Sequence, residues 1–149
     1  MIRHFGRAAV TLTVAAVFTV LSGTVAVAGQ SAAAPCGSSA AACINLRTQQ
    51  AWLMKGGQVT YGPTPITSGK PGYRTPSGTF TVLWKDRNHR SRAFGNAPMP
   101  YSVFFTHSGI AFHQGSLKVP SHGCVHLGGN AAATFFNTLS VGQVVQVVG

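Results

Sequence analysis

The chain has 149 residues, and among them eleven Lys and Arg face a single acid, Asp86. One carboxylate excludes paired-carboxylate glycoside cleavage and carboxylate cages for calcium or magnesium, and it would leave any Ser-His-Asp triad dependent on Asp86. The length sets one folded domain, and any catalysis falls to Cys, His, hydroxyl and backbone groups.

The first 28 residues read as an export signal. Arg3, His4 and Arg7 form a basic start, Ala8 to Leu21 is apolar apart from threonines, and Ala26-Val27-Ala28 offers the small residues a signal peptidase needs. Ala8 to Val27 also approaches a membrane-spanning length, so a retained anchor is the alternative. Ser22, Gly23 and Thr24 interrupt the apolar run where a cleavage region begins, which favours cleavage after Ala28. The expected location is therefore secreted, at the cell wall. Nine cationic side chains remain without Arg3 and Arg7, scattered except for Lys85, Arg87, Arg90 and Arg92. Such an excess attracts polyanions. For an exported protein these are anionic wall polymers; no nucleic-acid motif and no helix with one basic face is present.

Residues 29–43 are mostly Ala, Ser and Gly and read as a flexible N-terminal segment. Cys36 and Cys43 lie close enough to form a natural disulfide in an oxidising compartment, leaving Cys124 as the odd thiol. Pairing of one of them with Cys124 is the alternative. The domain proper is expected over residues 44–149.

Within it, Ile44-Asn45-Leu46 and Gln50 to Lys55 read as strands, and Gly56-Gly57 as a hairpin turn into a strand at Gln58 to Tyr61. Ile66 to Ser68 is another candidate. Gly78 to Lys85 alternates as one strand, with Phe80, Val82 and Trp84 on one face. Residues 86–100 are polar, basic and Pro-bearing, which predicts a long loop with a functional role. Tyr101 to Thr106 and Gly109 to His113 form two strands around a turn at His107-Ser108. Gly129 to Leu139 is the one good helix, with Ala131, Thr134, Phe135 and Thr138 on one face, and Gln143 to Val148 closes the chain as a strand. The expected fold is mainly β, with one short helix near the C-terminus.

The chemistry concentrates between Phe112 and Leu127, where His113, His122, His126, Cys124, Ser116 and Ser121 stand together. A cysteine nucleophile needs a base to raise its thiolate fraction. An acyl-transfer site needs donors for the developing oxyanion, and the backbone around Gly123-Cys124 can supply them. The base needs an acceptor for its second nitrogen. No acid is in reach, so a backbone carbonyl must serve, and Gln114, next to His113, is the candidate. A zinc site is the competing reading, because His122, Cys124 and His126 alternate and His113 would be a fourth ligand. Its spacing matches no common zinc module, so no metal and no organic cofactor is expected. His89 and His107 read as loop histidines.

The string Ser121-His122-Gly123-Cys124-Val125-His126-Leu127, preceded by His113, resembles the active-site signature of the L,D-transpeptidases, the YkuD-fold enzymes. The resemblance extends to Tyr73-Arg74-Thr75-Pro76-Ser77-Gly78-Thr79-Phe80, which looks like the family's Thr-Pro-x-Gly-x-Phe segment. It implies a β-sandwich or mixed-sheet fold over roughly Ile44 to Val148. It further implies Cys124 as nucleophile, His113 as base, His122 lining the pocket, and Gly123 with Cys124 at the oxyanion. Ser121 would shape the turn, while Tyr101, Met99 and His126 would meet substrate. His126 stands where Arg or Asn is commoner in the family. The implied reaction is attack on the bond before the terminal D-alanine of a peptidoglycan stem, release of D-alanine, and resolution of the thioester by an amine of a neighbouring stem. The expected partner is thus the stem peptide, and a monomer is expected. The alternatives are an L,D-carboxypeptidase, in which water resolves the thioester, and an inactive wall-binding protein on the same scaffold.

Overall fold

The computed structural model describes residues 33–149, so the expected signal, 1–28, lies outside the described residues. The strands are β1 (Ala40–Asn45), β2 (Gln50–Lys55), β3 (Gln58–Thr67), β4 (Gly78–Thr81), β5 (Trp84–Ser91), β6 (Ala97–Phe104), β7 (Ala111–Gln114), β8 (Val125–Leu127) and β9 (Val144–Val148). Among the described residues one α-helix, α1 (Gly129–Thr138), precedes the last strand, so this part of the chain is mainly β with one helix near its C-terminus. No helix among the described residues is long and apolar enough to cross a membrane.

The strands form one sheet in the order β4-β9-β1-β2-β3-β8-β7-β6-β5, parallel at β1·β9 and β7·β8 and antiparallel elsewhere. The two ends of that order, β4 and β5, are separated in sequence only by Val82 and Leu83. Three chain steps span about 11 Å at most, so the sheet must curl until its edges nearly meet. The crossing is abrupt: the Val82 N–H bonds to the Gln143 carbonyl at 2.9 Å and the Leu83 N–H to the Phe104 carbonyl at 2.8 Å. The single strand expected over Gly78 to Lys85 is therefore two. Trp84, expected on one strand face with Phe80 and Val82, is exposed and stacks on Phe104, while Val82 is buried.

The curled sheet encloses a core in which Ile44, Leu53, Val103, Phe112, Val125, Val145 and Val147 meet Phe105 and Phe135. Helix α1 buries Ala131, Ala132 and Phe135 against this core, with Leu139 closing its end. Thr138, expected on one face with Ala131 and Phe135, is exposed where those two are buried. Residues 86–100, expected as a loop, belong to a long hairpin of β5 and β6 with a 3₁₀ turn, Arg92–Phe94, at its tip. Edge strands are commonly charged because charge discourages pairing with another chain, and that charge conceals β5 in the sequence.

Near the N-terminus, Cys36 and Cys43 are joined in a disulfide. Strand β1 begins at Ala40, so the last residues of the segment expected to be flexible are sheet, paired with both β2 and β9. The disulfide packs with Ala40, Trp52, Met54 and Val59 in a small cluster beside the main core.

Candidate active site

Strands β7 and β8 run parallel with Phe112 opposite Val125 and His113 opposite His126. Side chains alternate along a strand, so Phe112, Val125 and Leu127 turn into the core while His113, Cys124 and His126 share the outer face. His113 and His126 stand edge to face, with ring centroids 4.8 Å apart. They line a cavity of about 410 Å³ together with Cys124, His122, Ser121 and Met99.

Cys124 sits just ahead of β8 as a partly buried free thiol. Burial pushes its pKa up, and a hydrogen bond from the Ala111 backbone opposes that shift. His113 is 6% exposed, and its Nδ1 lies 2.8 Å from the Gln114 carbonyl oxygen. An Nδ1–H donating to that carbonyl leaves Nε2 with a free lone pair. Desolvation, opposed by the Gln114 bond and helped by His126 and His89, lowers the His113 pKa to about 4. The resting pair is therefore a neutral imidazole and a thiol. This suits general-base removal of the thiol proton during attack.

The loop carrying Cys124 is fixed from both sides. The Ser121 N–H bonds to the Ser68 carbonyl at 2.9 Å, and the Lys70 N–H bonds to the Ser121 carbonyl at 3.0 Å. The Ser121 hydroxyl accepts the Gly123 N–H at 3.0 Å and donates to the Cys124 carbonyl. Gly123, expected to offer its N–H to an oxyanion, thus commits it to Ser121. Its φ of 119° explains why glycine stands there. The Cys124 N–H has no acceptor among the described residues and is the donor left for an oxyanion.

The remaining expected site residues divide. His122 is exposed, edge-on to Tyr73 at 4.7 Å and tilted against Phe94 at 4.7 Å. His126 Nδ1 lies 3.0 Å from the Ser116 carbonyl oxygen. Tyr101 does not line the cavity; it packs on Phe136 of α1 and under the Arg87 guanidinium. Its φ of 60° reverses the alternation of β6, turning Met99 to the site and Tyr101 to the helix. Thr75, Tyr73 and Phe94 had no role in the sequence reading beyond the Thr75 motif. Among the described residues no group of three His, Cys, Asp or Glu side chains is placed to hold a metal ion.

A partly buried thiol, a carbonyl-oriented imidazole and a braced loop with a free N–H are the parts of a cysteine acyl-transfer site. Comparison with known proteins gives that class a family. The L,D-transpeptidase catalytic domain, YkuD, matches residues 39–147, and the chain belongs to this family. L,D-transpeptidase 1 of Mycobacterium tuberculosis is 33% identical over an alignment that covers 57% of this chain and 41% of that protein. The chain thus spans about two fifths of the length of that relative. Among solved structures, an L,D-transpeptidase from Stackebrandtia nassauensis is similar with a TM-score of 0.68 and 28% identity over 72% of this chain and 54% of that one. An L,D-transpeptidase solved in complex with imipenem has a TM-score of 0.63 and 28% identity, covering 70% of this chain and 56% of that one.

Proposed function

We propose that the protein is an exported L,D-transpeptidase that cross-links peptidoglycan stem peptides through a thioester on Cys124. The observation that carries this reading is the neutral His113 held through Nδ1 by the Gln114 carbonyl in one cavity with Cys124. As Sγ attacks the carbonyl ahead of the terminal D-alanine, its proton passes to His113 Nε2. The Cys124 N–H holds the oxyanion, and D-alanine leaves with that proton. A side-chain amine of a second stem then attacks the thioester, and the thiol is restored. His122, Met99 and His126 line the cavity that would take the donor stem. Without Arg3 and Arg7, nine cationic side chains face one acid, which suits retention at anionic wall polymers after export.

The test is intact mass spectrometry after incubation with a carbapenem, beside a Cys124→Ser control. One adduct per chain, located on Cys124 and missing from the control, is expected. A stem tetrapeptide should then release D-alanine. A folded, reduced protein that takes up neither compound would sink the reading.

A further inference from the structure

The parallel pairing of β7 and β8 sets His126 opposite His113, and both imidazoles line the Cys124 cavity. The family more often has Arg or Asn at this position. Arg keeps its proton and an Asn amide takes none up, so neither is a base. Histidine is one. Its ring is fixed on three sides. Nδ1 lies 3.0 Å from the Ser116 carbonyl oxygen, a Cβ on Gly115 would come within 2.6 Å of the ring, and His113 stands edge to face at 4.8 Å. A carbonyl only accepts, so in the neutral ring Nδ1 carries the hydrogen and Nε2 keeps its lone pair. Nε2 has no protein partner among the described residues. The Gln114 carbonyl imposes the same arrangement on His113, one strand away.

The two imidazoles are not equivalent. His113 is buried, and desolvation foremost takes its pKa to about 4, which makes it a weak base toward water at neutral pH. His126 is only half-buried. Cys124 precedes it by two residues on the same outer face, so their Cα atoms are at most about 7 Å apart. A water bonded to an imidazole nitrogen and within attack distance of a carbon spans about 6 Å. That spacing suits one water between His126 Nε2 and a thioester on Cys124.

We propose that His126 is a second catalytic base, which takes a proton from the water that opens the thioester, while His113 serves Cys124 in forming it. The assignment rests on the thioester reading above. One water proton passes to His126 Nε2 as the oxygen attacks the thioester carbon. A C–O bond forms and the C–S bond breaks, and the other hydrogen stays on the acid that is released. The proton on His126 then passes to the Sγ thiolate, which restores the thiol and the neutral ring. Hydrolysis thus runs beside transfer from the same intermediate.

The partition of one thioester tests this. A stem tetrapeptide is turned over in the presence of hydroxylamine, a nucleophile that attacks thioesters at neutral pH without a base. The tripeptide hydroxamate and the tripeptide acid are counted by mass, and their ratio is blind to the first step. His126→Asn should raise the ratio of hydroxamate to acid at least tenfold, the scale on which a general base acts, and His126→Gln should do the same. A ring that only props the loop would slow both products alike, so an unchanged ratio overturns the role even where turnover falls. The unaltered protein gives a second reading that needs no variant to fold. Its ratio should rise about twofold in D2O, because base-assisted attack by water moves a proton. A ratio that ignores D2O overturns the base. A thioester whose partition ignores position 126 sinks the role of His126 alone. Failure of the unaltered protein to form any thioester sinks the transfer reading and His126 with it.

Discussion

The hydroxyl of Thr75 reaches 48 residues along the chain to donate to the Gly123 carbonyl at 2.7 Å, while accepting the Gly69 N–H at 3.0 Å. It is a buried clamp on the peptide bond that leads into Cys124. Thr75→Val keeps the shape and deletes both bonds, leaving a buried carbonyl and a partly buried N–H unsatisfied. Each such group costs about 1–3 kcal/mol. The loop should shift, and carbapenem acylation of Cys124 should slow by at least tenfold. Thr75→Ser should retain most of the rate. Equal rates for the two variants, followed by mass spectrometry, would dismiss the clamp.

His113 makes two pH predictions. It remains neutral in the folded protein until the pH approaches about 4, so the acid limb of Cys124 acylation should fall near there instead of near 6.5. A His113→Gln protein should lose the limb together with most of the rate. Stability follows the same group with a definite sign. The unfolded chain takes up the proton near the ordinary pKa of 6.5 and the folded chain only near 4. Stability from this group is complete above about pH 6.5 and is lost as the pH falls toward 4. The full effect is about 3 kcal/mol. Urea unfolding at a series of pH values, with His113→Gln as control, measures it.

Glycine at 115 is required by a neighbour and not by a turn. A Cβ there would come within 2.6 Å of the His126 ring, a distance side-chain carbons do not tolerate. Gly115→Ala should push His126 from its place beside His113 and from its bond to the Ser116 carbonyl. Acylation should slow several-fold while the unfolding midpoint moves little, because His126 lies on the outer face. Gly95→Ala is the control: it has positive φ but open space around it, so it should cost stability alone.

Most of the strands were legible as short apolar runs, as in β2, where Ala51 to Met54 are all buried, and β9, where burial alternates. The Gly56-Gly57 turn marked its hairpin for the same local reason. Strand β5 was hidden because an edge strand of Lys, Asp and Arg lacks the apolar alternation on which the reading depended. The break at Val82-Leu83 was hidden too, since curling of the sheet is a long-range consequence that no local pattern records. At the site, Cys124 and His113 stood out through residue type and order. Gln114 followed from the lack of an acid near the base, whereas Tyr101 went astray because one left-handed residue reverses which side of β6 faces the cavity. The Thr75 clamp joins segments far apart in sequence, and only the fold brings them together.

The Cys36–Cys43 disulfide closes a loop with a sequence separation of 7, among the shorter loops that a bridge can close. The chain-entropy relation gives about 2.5 kcal/mol for such a loop. Its position adds a packing contribution, because the pair lies against Trp52 and the start of β1, which holds β2 on one side and β9 on the other. Cys36→Ser/Cys43→Ser should therefore lower the unfolding free energy by about 2–4 kcal/mol, with the loss appearing first in amide protection of β1. The Cys124 cavity is built from β6, β7 and β8 and their loops, so carbapenem acylation of the folded fraction should be unaffected. Hydrogen exchange and the acylation rate, measured on the same sample, separate these effects. Equal loss of protection in β1 and β7 would instead mean that the disulfide supports the whole sheet.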